Sequence, residues 1–262
     1  MNLISQEIQS MSGEVYCPGD KSISQRILII GSFLNCDMEI DGFLDSEDPN
    51  STLKALNDIG ASIKKEQNKV FLTKRNIPFR ESFNDLDLGN SGTGARLILG
   101  LIAGLALKST IVGDSSLSNR PMLRVIKPLT EMGANIQSSN GTLPIKTFDS
   151  RISNNFKYDM PIASAQVKSC LLLAALASKN NIKIIEPKIT RDHTERMIDY
   201  FGGDISFGTK ENIGEVVLKF KNLSPKSTYS VPGDFSSAAF IIVAALISYK
   251  SKLEIKNVGL NK

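Results

Sequence analysis

The sequence predicts an α/β protein of the α+β type, built from repeated β-α-β-α-β-β units. A Gly that follows a short amphipathic helix recurs at Gly60, Gly133 and Gly202, with spacings of 73 and 69 residues. A Gly/Ser-rich turn that leads into a strongly apolar helix recurs four times. Self-similarity at a near-constant period is typical of repeat proteins, whose units bury their apolar faces against one another.

The first half of each unit is predicted to be a short strand, a turn, a buried helix and a second strand. The four turns are PGDKSISQR (18–26), GNSGTGAR (89–96), PIASAQVKS (161–169) and PGDFSSAAF (232–240). The segments after them are almost wholly apolar, as in LILGLIAGLAL, which indicates burial on all sides. The strands after these helices are predicted at 38–41, 110–113, 182–186 and 253–256.

The second half of each unit is predicted to be an amphipathic helix and a two-stranded ribbon. In the first unit, Leu53, Leu56 and Ile59 fall on one helical face. Gly60 then ends the helix, since glycine tolerates a left-handed backbone. Alternating apolar and polar residues follow, as expected for paired strands with one buried face.

Three complete units, residues 20–225, are expected to form one globular domain. The fourth turn resembles the first, with PGDFS against PGDKS, so residues 226–262 are predicted to start a second similar domain. The fourth helix, around 238–247, then lacks packing partners and exposes apolar side chains. We therefore expect the chain to stop partway through a repeat; a short extension is the alternative.

Composition favours a soluble, cytoplasmic protein. Acids and bases are mixed, the net charge is +4, and no Lys/Arg run with interleaved aromatics indicates nucleic-acid binding. The longest apolar run, 97–107, is too short to cross a membrane, and the start lacks a signal-peptide pattern. Cys17, Cys36 and Cys170 form no CxxC pair, which suits a reducing compartment, and the single His193 argues against a zinc site.

The Gly/Ser-rich turns are candidate sites for phosphate or carboxylate. Helix starts carry unpaired backbone N–H groups and the positive end of the helix dipole. None of the turns is a Walker loop or a dinucleotide fingerprint. Because the repeats place them equivalently, we expect three turns to face one region. Their polar and basic residues are Lys21, Ser22 and Arg26 in the first turn, Asn90, Ser91, Thr93 and Arg96 in the second, and Ser164 and Gln166 in the third.

Two further loops contain candidate residues. Pro121 is predicted at the first position of a helix, which places Arg120 at the helix start, where a cation is unfavourable with the dipole. A residue that breaks a local rule in this way is a functional candidate. Asp192 and Glu195 have the spacing of a capping box, and His193 between them is interpreted as a polar loop residue.

Taken together, PGDKSISQR, GNSGTGAR, SLSNRPM, SAQVKS and TRDHTE resemble the motifs of 5-enolpyruvylshikimate-3-phosphate (EPSP) synthases, in particular the bacterial class II branch. The resemblance runs through essentially the whole chain. It implies two similar three-unit domains, with residues 1–19 contributing a strand to the second. It also implies transfer of the enolpyruvyl group of phosphoenolpyruvate (PEP) to the 5-hydroxyl of shikimate 3-phosphate, in aromatic amino-acid synthesis, with no metal or organic cofactor.

The resemblance also implies roles for individual residues. Lys21 lies between the two substrates as the catalytic residue. Shikimate 3-phosphate is held by Ser22, Arg26, Ser164, Ala165 and Arg191. The PEP pocket contains Asn90, Gly92 and Arg120, and Gln166 reaches both substrates. A side chain at Gly92 would intrude on PEP or on the herbicide glyphosate, so glyphosate sensitivity is expected of the full-length enzyme.

The family's general base, an Asp of the second domain, has no counterpart in this sequence, so no turnover is expected of the chain alone. The protein is separately expected to be a monomer. Two alternatives stay open. The first is a UDP-N-acetylglucosamine enolpyruvyl transferase, which usually carries a reactive loop Cys; neither Cys17 nor Cys170 is suitably placed for that role. The second is a non-catalytic ligand-binding half-protein.

Overall fold

The structure is a computed structural model that describes residue 4 and residues 9–66, 69–210 and 213–261. The helices within this part are α1 (Lys21–Leu34), α2 (Glu47–Asp58), α3 (Gly92–Gly104), α4 (Ser115–Ser118), α5 (Leu123–Glu131), α6 (Ala165–Ala177), α7 (His193–Tyr200) and α8 (Phe235–Ile247). The strands are β1 (Ser12–Tyr16), β2 (Met38–Asp41), β3 (Ile63–Glu66), β4 (Lys69–Leu72), β5 (Leu86–Asp87), β6 (Ser109–Val112), β7 (Ile136–Ser139), β8 (Thr142–Thr147), β9 (Phe156–Asp159), β10 (Ile182–Glu186), β11 (Asp204–Lys210), β12 (Ile213–Lys219), β13 (Thr228–Ser230) and β14 (Lys252–Lys256).

Three four-stranded sheets share one topology, which confirms the predicted repeat. The second repeat has the order β5-β6-β8-β7, in which β5 and β6 are parallel and the other pairs are antiparallel. The third has the order β9-β10-β12-β11 and the first β13-β2-β4-β3, with the same directions. In the second and third repeats an apolar helix connects the parallel strands, since such a pair needs a crossover connection.

The first repeat obtains its parallel strand from a distant part of the chain. In keeping with the family resemblance, which assigns residues 1–19 to the second domain, β1 pairs with β14 of the fourth unit. Contrary to the predicted boundary at residue 226, β13 pairs with β2 of the first unit. The reason is apolar burial: the Tyr229 ring of β13 packs 5.5 Å from that of Tyr200 and 6.1 Å from that of Phe201, between centroids. Most of β1 is exposed by contrast.

The three glycines that mark the repeats have the predicted conformation. Gly60, Gly133 and Gly202 follow α2, α5 and α7 with φ values of 99°, 108° and 73°. A side chain is strained at such angles, whereas glycine is not. Each amphipathic helix therefore ends where the sequence indicates, and a two-stranded ribbon follows.

The apolar helices α1, α3 and α6 form the centre of the fold and are buried on nearly every side beyond their first turns. Glycines bring α3 against the backbone of α6. A Cβ added to Gly100 would lie 2.3 Å from the carbonyl oxygen of Cys170, and one added to Gly104 would lie 2.4 Å from that of Ala174. This close approach leaves the starts of the two helices side by side.

Helix α8 exposes the apolar side chains predicted for the fourth unit. Phe240, Leu246 and Ile247 are 81%, 79% and 80% exposed, and of this helix only Ala238 is buried. In the part of the chain that the structure describes, no helix has the length and apolar character needed to cross a membrane.

Candidate functional site

Hydrogen bonds join the starts of the three central helices. Gln25 Nε2 of α1 donates to Ser91 Oγ, before α3, at 2.6 Å. Gln166 Nε2 of α6 donates to Thr93 Oγ1 of α3 at 2.9 Å. The predicted meeting of the three turns in one region is therefore confirmed.

The same helix starts are suited to an anion. Asp20, Ser91 and Ser164 cap α1, α3 and α6, and each accepts a backbone N–H of the first turn. The first turns themselves contain no acidic side chain. The remaining N–H groups and the positive ends of the three helix dipoles thus favour negative charge at this surface.

Lys21 and Ser22 open α1 at the edge of this surface. Lys21 Nζ lies 2.9 Å from Asp48 Oδ2, and the Lys21 side chain is 49% exposed. Ser22 is half-buried. Because the lysine end of this pair is exposed while Asp48 is 22% exposed, the pair contributes modest stability, and Lys21 would lose little by turning from Asp48 to an anion.

Arg26 lies beneath Ser22, with three of its donors occupied. Nη1 donates to the Ser22 carbonyl at 2.9 Å, Nη2 to Ser169 Oγ at 3.0 Å and Nε to Thr194 Oγ1 at 2.8 Å. Burial lowers the pKa of Arg26 to about 10, and nearby Glu195 opposes that shift, so the guanidinium stays charged at neutral pH. Arg26 thereby ties together the starts of α1, α6 and α7.

Asn90, Gly92 and Arg120 lie together at the start of α3. Arg120 donates from Nη1 to the Asn90 carbonyl at 3.3 Å and from Nη2 to the Asn90 side-chain oxygen. A Cβ added to Gly92 would lie 3.0 Å from Arg120 Nη1 and 3.1 Å from Arg96 Nη1. Glycine at this position therefore keeps space between two guanidinium groups.

Arg120 is not at a helix start, contrary to the prediction. Helix α4 ends at Ser118 and α5 begins at Leu123 with Met122 as its N-cap, so Pro121 precedes the helix instead of occupying its first position. Arg120 instead follows the C-terminal end of α4, where a cation is favourable with the dipole. Its contact with the turn before α3 is what makes it a site residue.

Arg96 belongs to this site but is absent from the residues that the family resemblance implies. It is 6% exposed, and its Nη1 donates to the Gly92 carbonyl at 3.2 Å and to Gln166 Oε1 at 2.9 Å. Burial lowers its pKa, and two neighbouring arginines lower it further. The sequence held one signal, since Arg96 closes the second turn motif as Arg26 closes the first.

Ser164, Ala165 and Gln166 present the start of α6 to the same surface. All three are half-buried. Gln166 is fixed on both sides, because its oxygen accepts from Arg96 and its nitrogen donates to Thr93. The amide is therefore held in one orientation beside the first turn of α3.

Arg191 lies in a cavity of about 240 Å³ that Asp20, His193 and Asp234 also line. Its charge is close enough to Arg26 to lower the pKa of that residue further. His193 is the first residue of α7, and not a loop residue as the sequence suggests. Burial, and then the charge of Arg26, lower the pKa of His193, so the imidazole is neutral at neutral pH.

The predicted capping box at Asp192 and Glu195 is wrong. The Asp192 carboxylate makes no capping hydrogen bond and instead accepts from Arg196 Nε at 2.8 Å. Glu195 turns inward, where its carboxylate lies 2.8 Å from the buried Lys168 Nζ. The reason is the cost of burying a charge: the ammonium group of Lys168 is out of reach of water and needs a carboxylate partner. The end of a helix, by contrast, can be hydrogen-bonded by water in place of a cap.

Taken as a whole, the surface is suited to phosphate and carboxylate groups. Hydrogen bonds with charged partners each contribute about 1.5–3 kcal/mol, so several together would favour a multiply charged anion. Among the described residues, no group of three or more His, Cys, Asp and Glu side chains is placed to hold a metal ion.

Comparison with known proteins gives a consistent result. The family model described as EPSP synthase (3-phosphoshikimate 1-carboxyvinyltransferase) matches residues 5–262. The 3-phosphoshikimate 1-carboxyvinyltransferase of Petrotoga mobilis is 47% identical over 257 residues, which are 97% of this chain and 59% of the relative. That of Legionella pneumophila (strain Corby) is 41% identical over 263 residues, covering 100% of this chain and 60% of the relative.

Solved structures agree with the sequence relatives. EPSP synthase from Acinetobacter baumannii is 37% identical, with a TM-score of 0.86, over 96% of this chain and 57% of that chain. The chain thus spans about three fifths of the length of the curated relatives that it matches.

Proposed function

Because the chain belongs to the EPSP synthase family, we propose that it provides the substrate-binding surface for transfer of the enolpyruvyl group of PEP to the 5-hydroxyl of shikimate 3-phosphate. The observation that carries the proposal is the meeting of three capped helix starts, joined by Gln25 and Gln166, with cationic side chains around them. The two substrates together bring two phosphates and two carboxylates to such a surface.

Shikimate 3-phosphate is proposed to bind at the starts of α1 and α6. Ser22 and Arg26 hold it from α1, with Arg26 acting through the two N–H groups that its internal hydrogen bonds leave over. Ser164 and the backbone of Ala165 hold it from α6. Arg191, which faces Arg26 with the same charge, adds a contact to phosphate, because an anion between two cations relieves their repulsion.

PEP is proposed to bind at the start of α3. Arg120 and Asn90 provide donors there, and Gly92 leaves room for the ligand. Gln166 reaches both substrates, and Lys21 lies between them. The ammonium group of Lys21 is the proposed catalytic group, since it can stabilise negative charge that develops on PEP.

The chemistry is an addition followed by an elimination. The 5-hydroxyl oxygen bonds to C2 of PEP while C3 takes up a proton, and the hydroxyl proton leaves to a base. C3 is then a methyl group, and the tetrahedral intermediate loses one proton from it together with phosphate from C2, which restores the double bond. Cations at the helix starts bind the phosphate more strongly as its charge grows during departure.

Residues 20–225, together with β13, are proposed to form the three-unit domain, because β13 completes the sheet of the first repeat. Residues 1–19 and the part of 226–262 that follows β13 are proposed to belong to a second domain that supplies the general base. The protein is proposed to act as a cytoplasmic monomer without metal or organic cofactor.

Calorimetry on the chain tests the proposal. Shikimate 3-phosphate is expected to bind more weakly as the salt concentration rises. UDP-N-acetylglucosamine is expected not to bind. PEP is titrated into the chain with and without shikimate 3-phosphate, and stronger PEP binding in its presence is expected. Binding of neither substrate would contradict the proposal and favour a scaffold role; binding of the sugar nucleotide would favour the sister enzyme.

A further inference from the structure

A fully buried ionic cluster lies beneath the start of α6, outside the residues given roles above. Lys168 Nζ is 2.7 Å from Glu186 Oε1 and 2.8 Å from Glu195 Oε1, and the three side chains are 1%, 2% and 0% exposed. The cluster joins three elements, since Lys168 is in α6, Glu186 ends β10 and Glu195 is in α7.

Arg26 completes the balance of charge in this cluster. Its Nε donates to Thr194 Oγ1 at 2.8 Å, and Thr194 Oγ1 donates to Ser169 Oγ at 2.7 Å. Thr194 and Ser169 are the sequence neighbours of Glu195 and Lys168. Two cations and two carboxylates are therefore buried together. Buried ion pairs contribute little net stability compared with apolar residues of similar size. The role that we infer for these charges is therefore to fix one arrangement of the elements that they join.

One contact extends from the cluster to the substrate surface. The second oxygen of Glu186, Oε2, accepts a hydrogen bond from Thr190 Oγ1 at 2.7 Å. Thr190 directly precedes Arg191 in the loop between β10 and α7. Glu186 thus holds Lys168 with one oxygen and the Arg191 loop with the other.

We propose that Lys168 and Glu186 act through Thr190 as positioning residues, which hold Arg191 in place for the phosphate group of shikimate 3-phosphate. The inference rests on the function proposed above. Arg191 is exposed and has the same charge as nearby Arg26, so repulsion favours its movement away. A fixed loop keeps the two cations together before the anion arrives, which lowers the entropy cost of binding.

The test removes the hydrogen bond that links the cluster to the loop, which also leaves Glu186 Oε2 without this donor. Thr190→Val replaces the hydroxyl with a methyl group of similar size, and Thr190→Ser is the matched control that keeps the hydroxyl. Calorimetry on the 262-residue chain is expected to show about tenfold weaker binding of shikimate 3-phosphate for Thr190→Val, equivalent to about 1.4 kcal/mol, and less than twofold change for Thr190→Ser.

A double-mutant cycle separates positioning from a general structural effect. If Thr190 acts through Arg191, Thr190→Val costs no further affinity in an Arg191→Ala background, because the group that it positions is already gone. A loss of the same size in both backgrounds would contradict the proposal. Circular dichroism checks that each variant is folded at the titration temperature. If Thr190→Val disturbs folding, Thr190→Ala provides the same test.

The remaining outcomes distinguish a failure of the positioning role from a failure of the proposed function. Equal affinities for the unaltered chain and Thr190→Val would overturn the positioning role while leaving the proposed function intact. An unaltered chain that does not bind shikimate 3-phosphate would overturn the proposed function, and the positioning role with it.

Discussion

Replacing Lys168 with Met should be among the most destabilising single substitutions in this chain. Methionine keeps most of the side-chain length but removes the ammonium group that Glu186 and Glu195 share. Two buried carboxylates then face each other without a cation between them. Removing one partner of a buried ion pair costs about 3–5 kcal/mol, and full burial means that solvent screening does not reduce this figure.

The expected loss is large enough to measure by thermal unfolding. For a chain of this size each kcal/mol shifts the midpoint by about 2–4 °C, so Lys168→Met should lower it by about 6–20 °C. Lys157→Met is the matched control, because Lys157 pairs with Asp159 at 2.9 Å on the surface, where both side chains are more than half exposed. An exposed pair contributes at most about 1 kcal/mol.

The pH dependence gives a second, independent check on the same variant. Burial raises the pKa of Glu195, and the charge and hydrogen bond of Lys168 oppose that rise, so the pKa should rise further in Lys168→Met. A carboxyl group whose pKa is higher in the folded state than in the unfolded state contributes stability at pH values below its unfolded-state pKa. This contribution is lost as the pH rises through its folded-state pKa. Lys168→Met should therefore be more damaging at pH 8 than at pH 5. A midpoint equal to that of Lys157→Met, or an equal loss at both pH values, would refute this reasoning.

Two further predictions concern the packing of α3 on α6. Gly100→Ala should destabilise the chain by about 1–3 kcal/mol or more in urea unfolding, because its Cβ would lie 2.3 Å from a backbone oxygen, whereas Gly208→Ala, whose Cβ meets nothing within 4 Å, should change little. Equal effects of the two alanines would contradict the proposed helix contact. Burial raises the pKa of the Cys170 thiol to about 12, so an aromatic disulfide reagent at pH 8 should modify Cys17 and Cys36 in the folded chain and Cys170 only after unfolding. Rapid labelling of all three thiols in the folded state would contradict the burial of Cys170.

The repeat was predictable from sequence because its signals are local. A glycine after an amphipathic face, as at Gly60, or an apolar segment such as 97–107, indicates its structure without reference to the rest of the chain. The pairing of β13 with the sheet of the first unit was not predictable in the same way. Both β1 and β13 precede nearly identical turns, and the packing of Tyr229 on aromatic residues of α7 and its C-cap is a contact between distant parts of the chain that distinguishes β13.

The same distinction applies to the candidate site. The helix starts are visible as Gly/Ser-rich turns, but the burial of Arg96 and Lys168 depends on how α3, α5, α6 and α7 pack. A lysine in an otherwise apolar helix gives no sign in the sequence of the carboxylates that surround it. Arg120 was selected for a helix position that it does not occupy, and Glu195 was given a capping role when it is a buried partner of Lys168.

The most direct test of the central claim is to locate shikimate 3-phosphate on the chain by NMR. In ¹H–¹⁵N correlation spectra, addition of the ligand is expected to shift the backbone amides of Ser22, Ala165 and Gln166 most, because their helix starts are proposed to bind it. Amides at the opposite ends of the same helices, such as Leu34 and Ala177, should move little. Largest shifts at those opposite ends, or no shifts at saturating ligand, would contradict the account.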